Sequence, residues 1–195
     1  MNFFHSGPIR QSFRTIPTLE TDRLILRKIL PSDAQDMYEY SRHPEVSRYL
    51  LWEAHPSLAH TQSHISYLQE QYAKGKFFDW AIIWKENGKM IGTCGYTQIY
   101  EKDLSAEIGY VLSAQYHRRG IAPEAIRRIM TYAFQTLGLE SLTARVMESN
   151  EASLKVLSRL GFELIGGDKE SFYKRGKKER ILSYRFMKSQ FEKTL

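Results

Sequence analysis

Gln115-Tyr116-His117-Arg118-Arg119-Gly120-Ile121-Ala122-Pro123-Glu124-Ala125 joins two segments of different periodicity. Before it, Ile108 to Leu112 is apolar and reads as a strand. After it, Ala122, Ala125, Ile126, Ile129, Met130, Ala133, Phe134 and Leu137 recur at spacings of three and four, one face of a helix over Ile121 to Leu137. Strand, basic glycine turn and helix start together suit an anionic ligand. The first helical amides have no intrahelical partners, and the helix dipole adds positive character there. Gly120 lets a ligand approach the backbone, and Arg118 and Arg119 add charge.

Upstream of this turn, Asp79 to Trp84 and Met90 to Tyr100 read as strands joined by Asn87-Gly88, a strong hairpin signal, and Ser105 to Leu112 continues an antiparallel meander. Earlier still, Leu24-Ile25-Leu26 is a short strand. Ser32 or Asp33 caps a helix to about Tyr40, ended by His43-Pro44. Val46 to Leu51 is ambiguous. Ser57 starts a helix with Ile65, Leu68 and Tyr72 on one face, ending near Gly75. Downstream, Leu142, Ala144 and Val146 alternate as a strand. Asn150 caps a helix through Leu160, Gly161 stops it, and Phe162 to Ile165 begins a strand. Tyr173 to Phe186 reads as a final hairpin about Gly176. The order β-α-α-β-β-β-α-β-α-β-β predicts a mixed α/β sheet with helices on its faces.

The 195 residues are expected to form one domain over 19–195, behind a loose leader over 1–18. No apolar run approaches the roughly 20 residues of a membrane span, and the start lacks a secretory h-region. The single cysteine, Cys94, excludes an internal disulfide framework, and the expectation is a cytoplasmic protein. A net charge of +6 suits an acidic partner such as RNA, a polyanionic cofactor, or neither. The densest basic cluster, Lys174, Arg175, Lys177, Lys178 and Arg180, reads as a solvated turn or a functional patch. The chain lacks an RNA-binding motif with interleaved stacking aromatics, which argues against a nucleic-acid partner.

Four stretches resemble the GNAT acetyltransferase superfamily, and within it the branch of ribosomal-protein N-terminal acetyltransferases of the RimJ/RimL type. They are Leu19-Glu20-Thr21-Asp22-Arg23-Leu24-Ile25-Leu26-Arg27, Ala106 to Leu112, His117 to Ala122 with Glu124-Ala125, and Val146 to Asn150 with Ser153 to Phe162. The resemblance spans about Leu19 to Phe186 and implies a mostly antiparallel sheet with splayed central strands. It implies acetyl-CoA as cosubstrate, no metal, direct attack by the acceptor in a ternary complex, and a homodimer as a common assembly. The pyrophosphate would lie on His117, Arg118, Arg119, Gly120, Ile121 and Ala122. His117 stands where relatives carry Gln or Arg. The pantetheine arm would pair with the edge at Tyr110, Val111 and Leu112, an unpaired edge being costly unless something covers it.

Acetyl transfer to an amine needs loss of a proton from the ammonium and stabilisation of the leaving thiolate. The resemblance offers Glu107 as base, acting through water; an exposed strand glutamate or an arginine partner is the alternative. Many relatives place a tyrosine seven residues after the motif asparagine. Here that residue is Leu157, and the branch suggests Ser153 instead, against a helix-start serine bonded locally. Asn150 caps the helix and is also expected near the pantetheine or a bound water. Cys94 reads as a core cysteine or a nucleophile. His60 and His64 lack a zinc motif, and the six histidines read as surface residues. Trp52, Tyr72, Phe77, Phe78 and Trp80 read equally as acceptor-pocket walls or core. The acceptor is a primary amine, a protein N-terminal α-amine or a small molecule, chosen by Glu39 to Phe78 and the final hairpin. A non-catalytic acyl-CoA-binding module and an RNA-associated basic protein are the competing readings.

Overall fold

In the computed structural model, residue 9 and residues 13–167, 172–174 and 176–193 are described. The strands are β1 (Leu19–Glu20), β2 (Leu24–Arg27), β3 (Asp79–Trp84), β4 (Met90–Tyr100), β5 (Ser105–Leu112), β6 (Ser141–Met147), β7 (Glu163–Gly167), β8 (Phe172–Lys174), β9 (Lys177–Glu179) and β10 (Ile181–Met187). The α-helices are α1 (Ala34–Ser41), α2 (Leu58–Ala73), α3 (Ile121–Thr131), α4 (Glu151–Arg159) and α5 (Lys188–Glu192). The main sheet has eight strands in the order β1-β2-β3-β4-β5-β6-β10-β7, and every pairing is antiparallel except β5 with β6. This is the expected mixed α/β architecture, a mostly antiparallel sheet flanked by helices.

Alternation along the central strands feeds two separate cores. Trp80, Ile82, Ile91, Cys94, Tyr96, Ala106, Ile108 and Leu112 pack with α3 and with Leu157 of α4. Ala81, Ile83 and Met90 pack instead with Met37 and Tyr40 of α1 and Ile65, Leu68 and Tyr72 of α2. Sheet layers with a helical layer on each face bury both sets of side chains.

Four sequence expectations change. Phe13 belongs to the core, not to a loose leader: it is fully buried, its ring meets Phe78 edge-on at 5.0 Å and Trp80 at 5.5 Å, and the Trp80 indole donates to the Pro17 carbonyl at 2.7 Å. The aromatic cluster at that end of the sheet needs one more ring to exclude water, and Phe13 supplies it. The final hairpin is shorter than expected. Phe172 to Glu179 pairs about Gly176, while β10 joins the main sheet between β6 and β7, because its alternating face buries Leu182 and Phe186. Helix α3 passes into a π-turn over Tyr132–Thr136, where the wider coil lets consecutive Tyr132, Ala133 and Phe134 all reach the core. Asp33 makes no side-chain cap bond; its carboxylate takes two bonds from Arg27, at 2.7 and 2.8 Å, and one from the Leu30 N–H at 2.7 Å. Ser57 and Asn150 cap as expected, accepting from the His60 and Ser153 N–H groups at 3.1 and 3.2 Å.

Candidate active site

Strands β5 and β6 run side by side only from Ser105↔Ser141 to Glu107↔Thr143, and then separate. Glu107 is the last paired residue of β5, at the vertex of the gap. The Ser113 N–H donates to the Ile91 carbonyl at 2.8 Å, which turns the odd-numbered main-chain groups of β5 toward β4. The main-chain groups of Tyr110 and Leu112 therefore turn to the open side. Those of Val111 do not; its side chain packs against the α1/α2 core. Of the three residues expected to offer backbone to an extended ligand arm, the register favours two. The Leu112 carbonyl is met by the His117 imidazole Nε2 at 2.9 Å. His117 thus closes the end of the strand with its ring and leaves its main chain to the turn.

The turn itself is a cradle. Arg118 has φ 62° and Gly120 φ 73°, both left-handed, the backbone handedness that anion-binding nests use at alternate residues. A non-glycine residue held there stores strain of the kind found at ligand clamps. Gly120 is the N-cap of α3, and Arg118, Arg119 and Gly120 are exposed, Ile121 buried and Ala122 half-buried. Arg119 also lies over the Tyr116 ring at 5.3 Å.

Behind the turn is a clamp to which the sequence reading gave no role. Glu124, in the first turn of α3, accepts from Thr21 Oγ1 at 2.5 Å, from the Arg23 Nε at 2.7 Å and from the Arg23 N–H at 3.2 Å. Arg23 also donates to the Arg119 carbonyl at 3.0 Å. Burial pushes the Glu124 carboxyl up, but the bonds from Thr21 and Arg23 outweigh it and hold it below its ordinary value. The Thr21-Asp22-Arg23 stretch and Glu124 were the available signals, since both fall within the motifs quoted above.

On β5, side chains alternate. Glu107 shares a face with Val111, and its Oε1 accepts from Thr97 Oγ1 at 3.0 Å. Tyr110 points to the other face, where its hydroxyl lies 2.6 Å from Ser153 Oγ at the start of α4. Burial pushes the Tyr110 phenol up to about 12. Asn150 Oδ1 holds the Ser153 N–H. Leu157 is buried in the core.

Other candidates are placed as follows. Cys94 is fully buried and burial raises its thiol well above the ordinary range, the state of a core cysteine. Tyr72, Phe78 and Trp80 are core residues; Trp52 and Phe77 are half-buried. His55 is not a surface residue: it is 6% exposed and its Nδ1 lies 2.8 Å from Thr61 Oγ1, with the His60 and His64 rings stacked edge-on at 4.8 and 5.4 Å. Among the described residues no group of three or more His, Cys, Asp or Glu is arranged to hold a metal ion. No helix among the described residues is long and apolar enough to cross a membrane. Lys174 is not a solvated turn residue: its Nζ pairs with Glu53 and reaches the Trp52 carbonyl at 3.4 Å, tying the hairpin to the segment between α1 and α2. Arg180 faces Glu148 at 3.5 Å, and Arg175 lies outside the described residues.

The profile of the acetyltransferase (GNAT) domain matches residues 23–163. The chain is 35% identical over 160 residues to the uncharacterized N-acetyltransferase YoaA of Bacillus subtilis, covering 82% of this chain and 90% of that protein. It is 25% identical over 159 residues to the [ribosomal protein uS5]-alanine N-acetyltransferase of Escherichia coli, covering 78% of this chain and 81% of that protein. RimL, the ribosomal L7/L12 α-N-protein acetyltransferase solved with coenzyme A, superposes with a TM-score of 0.76 at 21% identity, over 88% of this chain and 98% of that one. The parallel pair that opens at Glu107, the left-handed turn at the head of α3 and this matched profile lead to one conclusion: the chain is an N-acetyltransferase and belongs to the GNAT family.

Proposed function

We propose that this enzyme uses acetyl-CoA to acetylate a primary amine, and that the amine is a protein N-terminal α-amino group. The observation that carries the cosubstrate is the gap beyond Glu107, bounded by the main-chain edge of Tyr110 and Leu112 and by the left-handed turn at Arg118 and Gly120. An extended amide-bearing arm suits the edge, and a pyrophosphate suits the cradle. Acetyl-CoA supplies the acetyl group as an activated thioester.

The chain's own residues then have separable tasks. Arg118 and Arg119 supply charge beside the cradle, and the clamp of Arg23 on Glu124 and the Arg119 carbonyl fixes its shape. Glu107 takes the proton of the acceptor ammonium, directly or through a water, while Thr97 orients its carboxylate. Ser153 gives a hydrogen bond to the departing sulfur. The nitrogen–carbon bond forms as the carbon–sulfur bond breaks and sulfur keeps the electron pair; the second proton, shed by nitrogen as the amide forms, passes to water, and water protonates the thiolate. Because β5 side chains alternate, Glu107 serves one face of the strand and Ser153 the other. Amine entry and sulfur departure are thereby kept apart.

An α-amino group supports this reading because it ionises near about 8, against about 10.4 for lysine, so less work falls on the base. The uS5-alanine relative acts on such a group by its name. The test begins with calorimetric titration of acetyl-CoA. Micromolar binding is expected, and Gly120→Glu should abolish it by placing bulk and negative charge in the cradle. Retained affinity in that variant overturns the site. Peptides with a free α-amine should then release thiol faster than the same peptides blocked at the N-terminus and carrying one lysine; the reverse order overturns the acceptor class.

A further inference from the structure

We propose that Tyr110 is a positioning residue for this reaction: its phenol donates to Ser153 Oγ and so directs the serine hydrogen at the sulfur of coenzyme A. The inference rests on the reading of Ser153 given above. Its own basis is a contact between two elements. Tyr110 comes from β5, three residues past the last pairing with β6, and Ser153 from the first turn of α4, yet their hydroxyl oxygens lie 2.6 Å apart. Both ends are fixed. The Tyr110 ring packs against the α3-side core, and the Ser153 N–H is bonded to Asn150 Oδ1.

Which hydroxyl donates follows from chemistry. A phenol is the more acidic alcohol and the stronger donor, and burial keeps this one protonated at any working pH. With Tyr110 donating, the serine oxygen is the acceptor and the serine hydrogen is left for a third atom. Without Tyr110, the serine hydroxyl is free to turn back onto its own helix turn. One turn on, Leu157 is apolar and buried, and the other serine of α4, Ser158, is exposed beside Leu154, Lys155 and Arg159, so neither takes the place of Ser153. No proton changes owner along the pair. As the carbon–sulfur bond breaks, sulfur keeps the electron pair, Ser153 gives it a hydrogen bond and Tyr110 gives one to Ser153; the released thiolate is protonated by water.

The probe is coenzyme A itself, which needs no acceptor. Its thiol is titrated by thiolate absorbance when bound to the full chain, in wild type, Tyr110→Phe, Ser153→Ala, the double variant and Ser153→Thr. Free coenzyme A titrated in the same buffer gives the reference. Bound to wild type it should titrate about one unit lower, a tenfold preference for thiolate. Tyr110→Phe should remove most of that shift, Ser153→Ala all of it, and the double variant should match Ser153→Ala. Ser153→Thr should keep it. Affinity at low pH, where the thiol is neutral, should be alike in all five. A wild-type titration in Tyr110→Phe, or additive losses in the double variant, overturns the inference. So does an unshifted thiol on wild type that binds coenzyme A. If Tyr110→Phe does not fold, an unchanged thiol in Ser153→Ala refutes it equally. Absence of coenzyme A binding to wild type would instead remove the proposed function beneath it.

Discussion

At the residue scale, Glu107 is defined by position more than by its surroundings. It is half-exposed, its carboxylate has one hydroxyl partner in Thr97, and it marks the point where β5 loses β6. A water-linked base suits such a place. Glu107→Gln keeps the size and the bond from Thr97 but cannot take a proton. Turnover should fall about a hundredfold, the lower end of what general bases supply, while acetyl-CoA affinity stays. With no group to take the ammonium proton, the variant should regain part of its rate only as pH rises past the α-amine's own ionisation near about 8, where the amine is already free. An unchanged profile would remove Glu107 from the role. The sequence offered Glu107, Ser153 and Asn150 as separate candidates because each lies in its own motif. It had no means of joining Ser153 to Tyr110, which lie 43 residues apart and meet only through the splay of two strands.

At the element scale, the turn before α3 was legible because its chemistry is local: glycine, arginines and a helix start within one short run. Its clamp was not. Arg23 and Glu124 are 101 residues apart, and nothing in either local pattern selects the other. The same limit hid the place of β10. Strand propensity is readable in Ile181 to Met187, but insertion between β6 and β7 depends on partners far along the chain. Phe13 was lost for a related reason, since one aromatic in a polar stretch has no periodicity to report its burial. The turn permits a test that separates backbone strain from ligand contact. At Gly120 the nearest atom to an added Cβ is an Arg23 guanidinium nitrogen at 3.6 Å, so alanine fits but must hold φ 73°. Gly120→Ala should lose about 1 kcal/mol of stability, and Gly120→Asn less, because asparagine tolerates the left-handed region. Both should weaken coenzyme A binding by putting a side chain at the cradle. Equal thermal melts for Ala and Gly would show that the turn is not strained.

At the scale of the whole molecule, two buried ionisable groups under α1 and α2 set opposite pH limits. Asp79 lies at the start of β3, with Oδ1 sealed from solvent and unpartnered, over the space that the missing Gly95 side chain leaves. Burial pushes its carboxyl from 3.8 up to about 7. A raised acid stabilises the fold fully below its unfolded value, and that contribution is lost as pH rises from about 4 through about 7. His55 does the reverse. Burial first, then the neighbouring His64 and His60, lower it from 6.5 to about 4. Its neutral ring stabilises the fold fully above 6.5, and the contribution is lost as pH falls from there toward about 4. Between these limits the two slopes oppose each other, and single variants should separate them. Asp79→Asn should raise the melting temperature at pH 8, by the equivalent of about 1–3 kcal/mol, and leave it unchanged near pH 4. His55→Gln removes that ring and leaves only the neighbouring His64, which burial also holds low, so beyond what it loses at pH 7.5 through the Trp52 and Thr61 contacts it should lose less than the parent on descending to pH 5. The wild type should lose stability over that same descent once Asp79→Asn has removed the opposing slope. Melting curves of Asp79→Asn with and without His55→Gln, at pH 7.5 and 5, make the comparison. Parallel behaviour of the two proteins would mean that the buried imidazole does not govern the acid limit.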